Sequence, residues 1–426
     1  MNDIKTTKID HLCLTIDEFK DIYLKNHYDE NMFNKDGSIN PYYNSKKKTG
    51  LIAQIFEDHW FNLSSNFKNS ILKYKPNAEK EINKIIDCHN KNIGCSVYRC
   101  PDCNDISFIG HTCKSRFCSS CGYKYKLERV ENILSTAYNC KHRQIVFTCA
   151  KELWPYFFID FNNLIDIYFQ AVNKTIYSIL NESFKLKNGK LKKYISKTKY
   201  SPGFFAFLHT FGRDLKWHPH IHVLIAEIKL ANNKCLKWEY FDFNALSKRF
   251  MKILLDLMDN YLNDKSFKIL KNNLYKKYPN GFYVYAEKKK FKNMKSGVEY
   301  VTRYCGRVAI SENRILNYDG ENVTFCYNDH TDISYHEVTV TASEFITILL
   351  RHLLPENFKI IRYYGFYRKK HSFHDNMVMM ISNEKKKIRK QFLKYEISIQ
   401  KFFKYNPFDC PKCGQRMIEV CYIEGG

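Results

Sequence analysis

The chain has 426 residues, with 68 Lys and Arg against 44 Asp and Glu, a surplus of 68 − 44 = +24, together with 16 Cys, 15 His and 16% aromatic residues. At roughly 100–200 residues per domain the length predicts two to four domains, and a hydrophobic content of 44% excludes a disordered chain. No apolar run reaches the roughly 18 residues of a bilayer span, and the opening MNDIKTTKID lacks a secretory apolar stretch. A cytoplasmic, nucleoid-associated protein without a membrane partner is therefore expected. In that compartment thiols stay reduced, so clustered cysteines point to metal ligands rather than disulfides. Lys and Arg in such excess, interleaved with rings, suit phosphates and unstacked bases and make nucleic acid the favoured partner.

Along the chain, residues 1–50 are polar, carry Lys46-Lys47-Lys48 and read as an extension. From 51 to about 74, Ile52, Ile55, Phe56, Trp60 and Leu63 fall at helical spacing, and 81–88 predicts a second short helix. A cysteine-rich stretch follows, then the basic helical sequence KYKLERVENILSTAYN and the strand-like RQIVFTCA. Residues 154–186 are helical in pattern. GFFAFLHTF (203–211) and HIHVLIAEI (220–228), joined by GRDLKWHP, predict a β-hairpin or a neighbouring strand pair. A helix over 243–262, a strand over 281–288 and a helix over 296–304 come next. Beyond 310 lie a β-rich patch, a helix over 345–354, the basic stretch IIRYYGFYRKKH and the charged helix or linker NEKKKIRKQFLKYE. Strands and helices alternate without a regular βαβ repeat, so the class is α+β with a largely antiparallel central sheet and flanking helices. The expected units are a polar extension over 1–50, a helical zinc-binding, DNA-binding domain over 51–138, a catalytic domain over 139–374, and a basic tail over 375–426.

Cys100-Pro-Asp-Cys103 and Cys118-Ser-Ser-Cys121 are two C-x2-C turns. Each points two thiolates at one centre, and together they are expected to complete one tetrahedral, structural zinc site. About 0.6 such turns would arise by chance at this cysteine content, so the three in the chain are informative. Cys88 and Cys113 are the best ligands for a second zinc, and Cys410-Pro-Lys-Cys413 is a candidate further knuckle. Lys114 and Arg116 place positive charge on this module and suit it to DNA.

His220-Ile221-His222 lies on a strand, where i and i+2 share a face, so two imidazoles can meet one metal while Ile221 packs into the core. His209, on the preceding strand, is placed by a hairpin to be a third ligand. Three imidazoles leave open positions on a divalent ion for phosphate oxygen or water. Tyr300 and Tyr304, at i and i+4, share one face of a predicted helix, with Arg303 and Arg307 beside them.

Four blocks, YRCPDC…HTCKSRFCSSCG, LHTFG with HPHIHVL, YVTRYCGRVAIS, and IIRYYGFYRKKH, occur in this order, and with them the chain resembles the zinc-finger-bearing HUH transposases of rolling-circle insertion sequences, HUH denoting His, hydrophobe, His. The resemblance runs from about residue 51 to about residue 374. It implies an HUH endonuclease core in which His220 and His222, with His209, bind Mg²⁺ or Mn²⁺ at a phosphate of single-stranded DNA. It further implies that Tyr304 or Tyr300 attacks that phosphate to give a 5′-phosphotyrosine, with Tyr304 favoured and Arg303 and Arg307 balancing charge. The partners implied are single-stranded transposon ends and target DNA, with Arg362 and Arg368 of the last block also on the DNA track. The alternatives are a plasmid replication initiator or relaxase, which shares the histidine and tyrosine chemistry, and a zinc-finger regulator without catalysis.

Overall fold

The computed structural model describes residues 50–88, 93–138, 140–187, 190–231, 234–238, 242–286, 309–329, 334–368, 396–397, 399–400 and 405–424. All but the last residue of the expected extension over 1–50 and the whole helix over 296–304 lie outside these residues, as does nearly all of the charged segment from 383.

Three short helices open the described chain: α1 (Leu51–His59), α2 (Ser65–Leu72) and α3 (Ala78–Ile86). The single helix expected over 51–74 is interrupted because Ser64 caps a new one, its side chain accepting from the Phe67 amide. Strands β1 (Gly94–Arg99) and β2 (Ile106–Gly110) follow, then α4 (Ser119–Thr136) and β3 (His142–Thr148). Next come α5 (Trp154–Ile159), α6 (Phe161–Asn181), the hairpin β4 (Glu182–Lys187) and β5 (Lys190–Ile195), and the long strands β6 (Ser201–Phe211) and β7 (Trp217–Ala231). The short β8 (Lys234–Lys237) leads to α7 (Phe243–Leu262), α8 (Lys265–Lys277) and β9 (Tyr283–Tyr285). The remainder is β10 (Ile315–Tyr318), β11 (Asn322–Asn328), β12 (Tyr335–Thr341), α9 (Ala342–Arg351), β13 (Ile361–Gly365) and β14 (Ile418–Glu424).

The central sheet runs β13-β6-β7-β3-β9, with β8 on β7, and every neighbouring pair is antiparallel. This is the α+β, antiparallel arrangement expected from the sequence. Its two faces are set by alternation along the strands. Ile145 and Phe147, Phe204, Ala206 and Leu208, and Ile221, Val223 and Ile225 point one way, into a core closed by α6 and α7. Phe205, Phe207, Leu224 and Ala226 point the other way, under Val130 and Ile133 of α4.

A second core joins α1–α3 to residues far along the chain: Ile310, Val323 and Phe325, and Phe345, Ile346 and Leu349 of α9. This packing crosses the boundary read at residue 138. Lys75 reinforces it, buried with its ammonium donating to the Leu353 carbonyl at 2.7 Å and lying over the rings of Phe158, Phe161 and Trp217. Strand β14, from the stretch read as a tail, pairs antiparallel with β1 in a third sheet, β14-β1-β2.

A candidate metal centre on the β6–β7 hairpin and two cysteine tetrads

The register of β6 on β7 sets His209 directly opposite His220, and Phe207 opposite His222. All three imidazoles therefore fall on the α4 side of the sheet, continuing the row Phe205, Phe207, Leu224, while Ile221 is buried on the other side. Ring centroids lie 4.1 Å apart for His209 and His222, 5.2 Å for His209 and His220, and 4.9 Å for His220 and His222. One ring nitrogen from each lies within 4.8 Å of the others, so the three can meet a single ion. His209 and His222 are buried, and His220 is half-buried at the mouth. Burial, reinforced by His220 and His218, holds His222 well below its ordinary pKa, so it is neutral and has a lone pair to give.

Groups behind the rings fix which nitrogen faces the centre. His220 Nδ1 lies 2.7 Å from the His218 carbonyl, which can only accept; Nδ1 therefore carries the proton, and Nε2 keeps its lone pair. The Gln144 side-chain amide on β3 stands 2.7 Å from His222 Nδ1. The amide nitrogen occupies that position while the buried amide oxygen has no hydrogen-bond partner. With the amide turned by half a rotation, Oε1 accepts from His222 Nδ1–H and Nε2 of His222 keeps the lone pair that coordination needs. Sequence reading did not single out Gln144. Its signal was a lone amide at the head of the apolar run in RQIVFTCA.

The hairpin is anchored at its tip. Leu215 adopts a left-handed backbone (φ 62°), uncommon for a branched side chain, and buries that side chain in the α1–α3 core. Its carbonyl accepts from His352 Nε2 at 2.9 Å, and His352 Nδ1 lies 3.2 Å from the Thr210 hydroxyl. Beside His209, a small cavity is lined by Thr210, Phe211, His352 and Ala309. Ala309 resumes the described chain five residues after Tyr304. Tyr300, Arg303, Tyr304 and Arg307 themselves lie outside the described residues.

The cysteines group differently from the expectation. Cys100 and Cys103 do not share a centre with Cys118 and Cys121; the tetrads are Cys88, Cys113, Cys118, Cys121 and Cys100, Cys103, Cys410, Cys413. The reason is topological. β1 and β2 carry the first turn away from α4, at whose start the second turn sits, and β14 brings the terminal turn alongside the first. In the first tetrad, sulfur separations of Cys121 from Cys88 and Cys113, and of Cys118 from Cys88, are 3.7, 3.6 and 3.7 Å. Four thiolates held about 2.3 Å from a tetrahedral zinc lie about 3.8 Å from one another, and a disulfide would need about 2.05 Å. The donor set therefore fits zinc. The Ser115 amide donates to Cys113 Sγ. Hydrogen bonds from Cys113 and Cys118 lower the Cys121 thiol to about 7, those with Cys118, Cys121 and Cys88 drive Cys113 upward, and Cys118, lowered by Cys113, is driven upward on balance by Cys121 and Cys88; four such thiols ionise together only around a cation.

Of the basic residues assigned to DNA, Lys114 and Arg368 are exposed. Arg116 is engaged with the Phe358 carbonyl at 3.0 Å, and Arg362 pairs with Asp166 and lies 4.1 Å over the Phe169 ring. Much of the RYYGFY block is packing. Tyr364 stacks on Phe204, Phe366 and Tyr367 are buried, and Gly365 turns left-handed (φ 59°) where a Cβ would strike the Pro202 carbonyl.

Comparison with known proteins agrees with these features. The family described as "Transposase zinc-binding domain" matches residues 55–149, across the first tetrad, and that described as "Putative transposase" matches residues 203–373, from β6 through the last block. A curated relative, the transposase for insertion sequence element IS801 of Pseudomonas savastanoi pv. phaseolicola, is 26% identical over 365 residues, covering 81% of this chain and 83% of its own. A second, "Putative transposase y4qJ" of Sinorhizobium fredii (strain NBRC 101917 / NGR234), is 24% identical over 307 residues, covering 68% and 74%. The class defined by fold, cysteines and histidines is thus a zinc-binding DNA transposase. Within that class the two family matches and the IS801 relative support a zinc-binding, IS91-family transposase. No described helix is long and apolar enough to cross a membrane.

Proposed function

We propose that this transposase cleaves and rejoins single-stranded DNA at element ends and target through a tyrosine, with His209, His220 and His222 as the seat of a catalytic Mg²⁺ or Mn²⁺. The observation that carries the reading is the set of three imidazoles brought to one point by the β6–β7 register. His209, His220 and His222 would hold a divalent ion there, and its chemistry would be Lewis-acid polarisation of the phosphate.

The chain's own residues do the rest. His222, kept neutral, and His220, with its proton turned to the His218 carbonyl, present lone pairs without moving. Gln144 holds the His222 ring in place. Tyr304 is the proposed nucleophile: its phenolic oxygen gives up its proton and bonds to phosphorus as the bond to the 3′ oxygen breaks, giving a 5′-phosphotyrosine, and the departing 3′ oxygen takes up a proton to become a 3′-OH. The reverse attack by a 3′-OH rejoins strands without ATP, because the phosphodiester is exchanged rather than hydrolysed. Tyr300 takes the second strand, and Arg303 and Arg307 stabilise charge on the phosphate. The zinc-bearing tetrad fixes the start of α4, whose Val130 and Ile133 roof the histidine-bearing face, and Lys114 and Arg368 are left to grip the backbone in the cytoplasm.

The test is incubation with Mn²⁺ and single-stranded DNA carrying an element end, read as a covalent adduct on a denaturing gel. The expected outcome is loss of the adduct in Tyr304→Phe, with His222→Ala cleaving no DNA yet still binding it. An adduct that survives both Tyr304→Phe and Tyr300→Phe, or full cleavage in EDTA, would sink the assignment.

A further inference from the structure

Cys100, Cys103, Cys410 and Cys413 form a tetrad whose two halves are separated by about three-quarters of the chain. The latter pair lies outside the matched zinc-binding domain, which ends at residue 149. We propose that these four cysteines bind a second zinc ion, and that this ion clasps the C-terminal segment onto the N-terminal module.

The two turns are built alike. In the first, the Cys100 amide donates to the Asp105 carbonyl at 2.9 Å and the Asn104 amide to the Cys100 carbonyl at 3.1 Å. In the second, the Cys410 amide donates to the Gln415 carbonyl at 2.7 Å and the Gly414 amide to the Cys410 carbonyl at 2.9 Å. In each, the residue after the second cysteine is left-handed, Asn104 at φ 59° and Gly414 at φ 77°. That turn aims both thiols of a C-x2-C pair at one point, and the two pairs face each other. Cys100 lies 3.4 Å from Cys413, Cys103 lies 3.5 Å from Cys410, and Cys103 lies 3.6 Å from Cys413. These separations are far beyond a disulfide's about 2.05 Å and close to the about 3.8 Å between ligands of a tetrahedral zinc. Lys412 of one turn pairs with the buried Asp105 of the other at 2.6 Å.

Directly beneath the two turns the apolar packing is slight, although Cys421 and Ile423 of β14 are buried. The apolar cluster there consists of Cys100, Cys410 and Met417 with Tyr98 against them. So small a core does not order a segment by burial, and metal takes its place in small modules of this kind. A metal closing so long a loop also removes more unfolded-chain freedom than a local one. β14 then lies along β1 from Arg99 opposite Ile418 to Gly94 opposite Glu424, so the ion sits at the end of the sheet where both strands begin to diverge.

The experiment is zinc counting on the full-length, reduced protein by mass spectrometry, with limited proteolysis as a second readout. Wild type is expected to carry two zinc ions per chain, Cys410→Ser with Cys413→Ser one, and Cys421→Ala, a buried β14 cysteine outside the tetrad, two. Cys413→His, which keeps a zinc-binding atom, is expected to restore the second ion. In the double serine variant, protease should remove residues 405–424 at least tenfold faster while the rest of the chain stays resistant. One zinc in wild type, two in the double serine variant, or a free-thiol count showing a disulfide in place of the ion would overturn the proposal.

Discussion

The histidine triad and the cysteine tetrads are both metal-binding geometries, but they are held by different forces. The triad comes from two adjacent strands, with His209 and His220 directly opposed in a ladder that has its own backbone hydrogen bonds and an apolar core on the reverse face. Its imidazoles are positioned by the sheet itself, which is what the proposed catalytic site needs if an ion is to come and go with DNA. The tetrads are assembled from separate segments, Cys88 with Cys113, Cys118 and Cys121, and Cys100 with Cys413. Remove the ion, and thiols that had been forced together repel as they ionise. A site that is pre-built can be catalytic; one that metal itself builds is structural.

The strongest way to break this contrast is to disable the first tetrad. Structural zinc in small modules contributes on the order of 10 kcal/mol, comparable with the whole stability of a domain. Cys118→Ser is therefore expected to unfold the zinc module and uncover the sheet face beneath α4, seen as a lost thermal transition and loss of DNA binding. His222→Ala should do the reverse: melting temperature of the metal-free protein within a few degrees of wild type, and cleavage reduced to background. If His222→Ala melts as early as Cys118→Ser, the triad is not pre-built.

A smaller effect concerns what pins the hairpin. Burial pushes His352, at the tip, and His142, on β3 beside the Tyr367 hydroxyl, down to about 4. Both lie below the value of about 6.5 in an unfolded chain, so between pH 6.5 and 4 the unfolded state binds the extra protons and stability falls as pH falls. Each histidine contributes about 3 kcal/mol to that loss. His352→Asn should flatten the decline of urea stability between pH 6.5 and 4 relative to wild type; equal slopes would show that this imidazole does not hold the tip. The mildest expected effect is at Gln144. Gln144→Ala should weaken Mn²⁺ binding about 10–100-fold without unfolding the protein, as loss of an orienting partner does, and Gln144→Glu should recover much of it. Unchanged Mn²⁺ affinity in Gln144→Ala would remove Gln144 from the site.

The sequence was most legible where chemistry is encoded locally. His-x-His on an alternating strand, a short connection and an upstream strand ending in His209 were enough to foresee the triad, because a two-residue period and an antiparallel hairpin leave little choice of face or register. Helix α7 was legible for the same reason, its apolar residues Leu246, Phe250, Leu254 and Met258 repeating along one side. The grouping of the cysteines was not. Spacing shows that Cys100 and Cys103 belong together, but which pair completes their site depends on where β1, β2 and β14 run, and that is decided by strand pairing over more than three hundred residues.

The basic surplus of +24 likewise pointed to nucleic acid as the partner, yet only the tertiary structure separates Lys114 and Arg368, left exposed, from Arg116 and Arg362, consumed in contacts to the protein itself. By itself, then, the sequence determined the α+β class and the grouping of His209, His220 and His222, because these follow from local periodicity. Only the tertiary structure decided the partners of each cysteine, the orienting role of Gln144 and the anchoring of Leu215, because each depends on a contact between segments that no local pattern brings together.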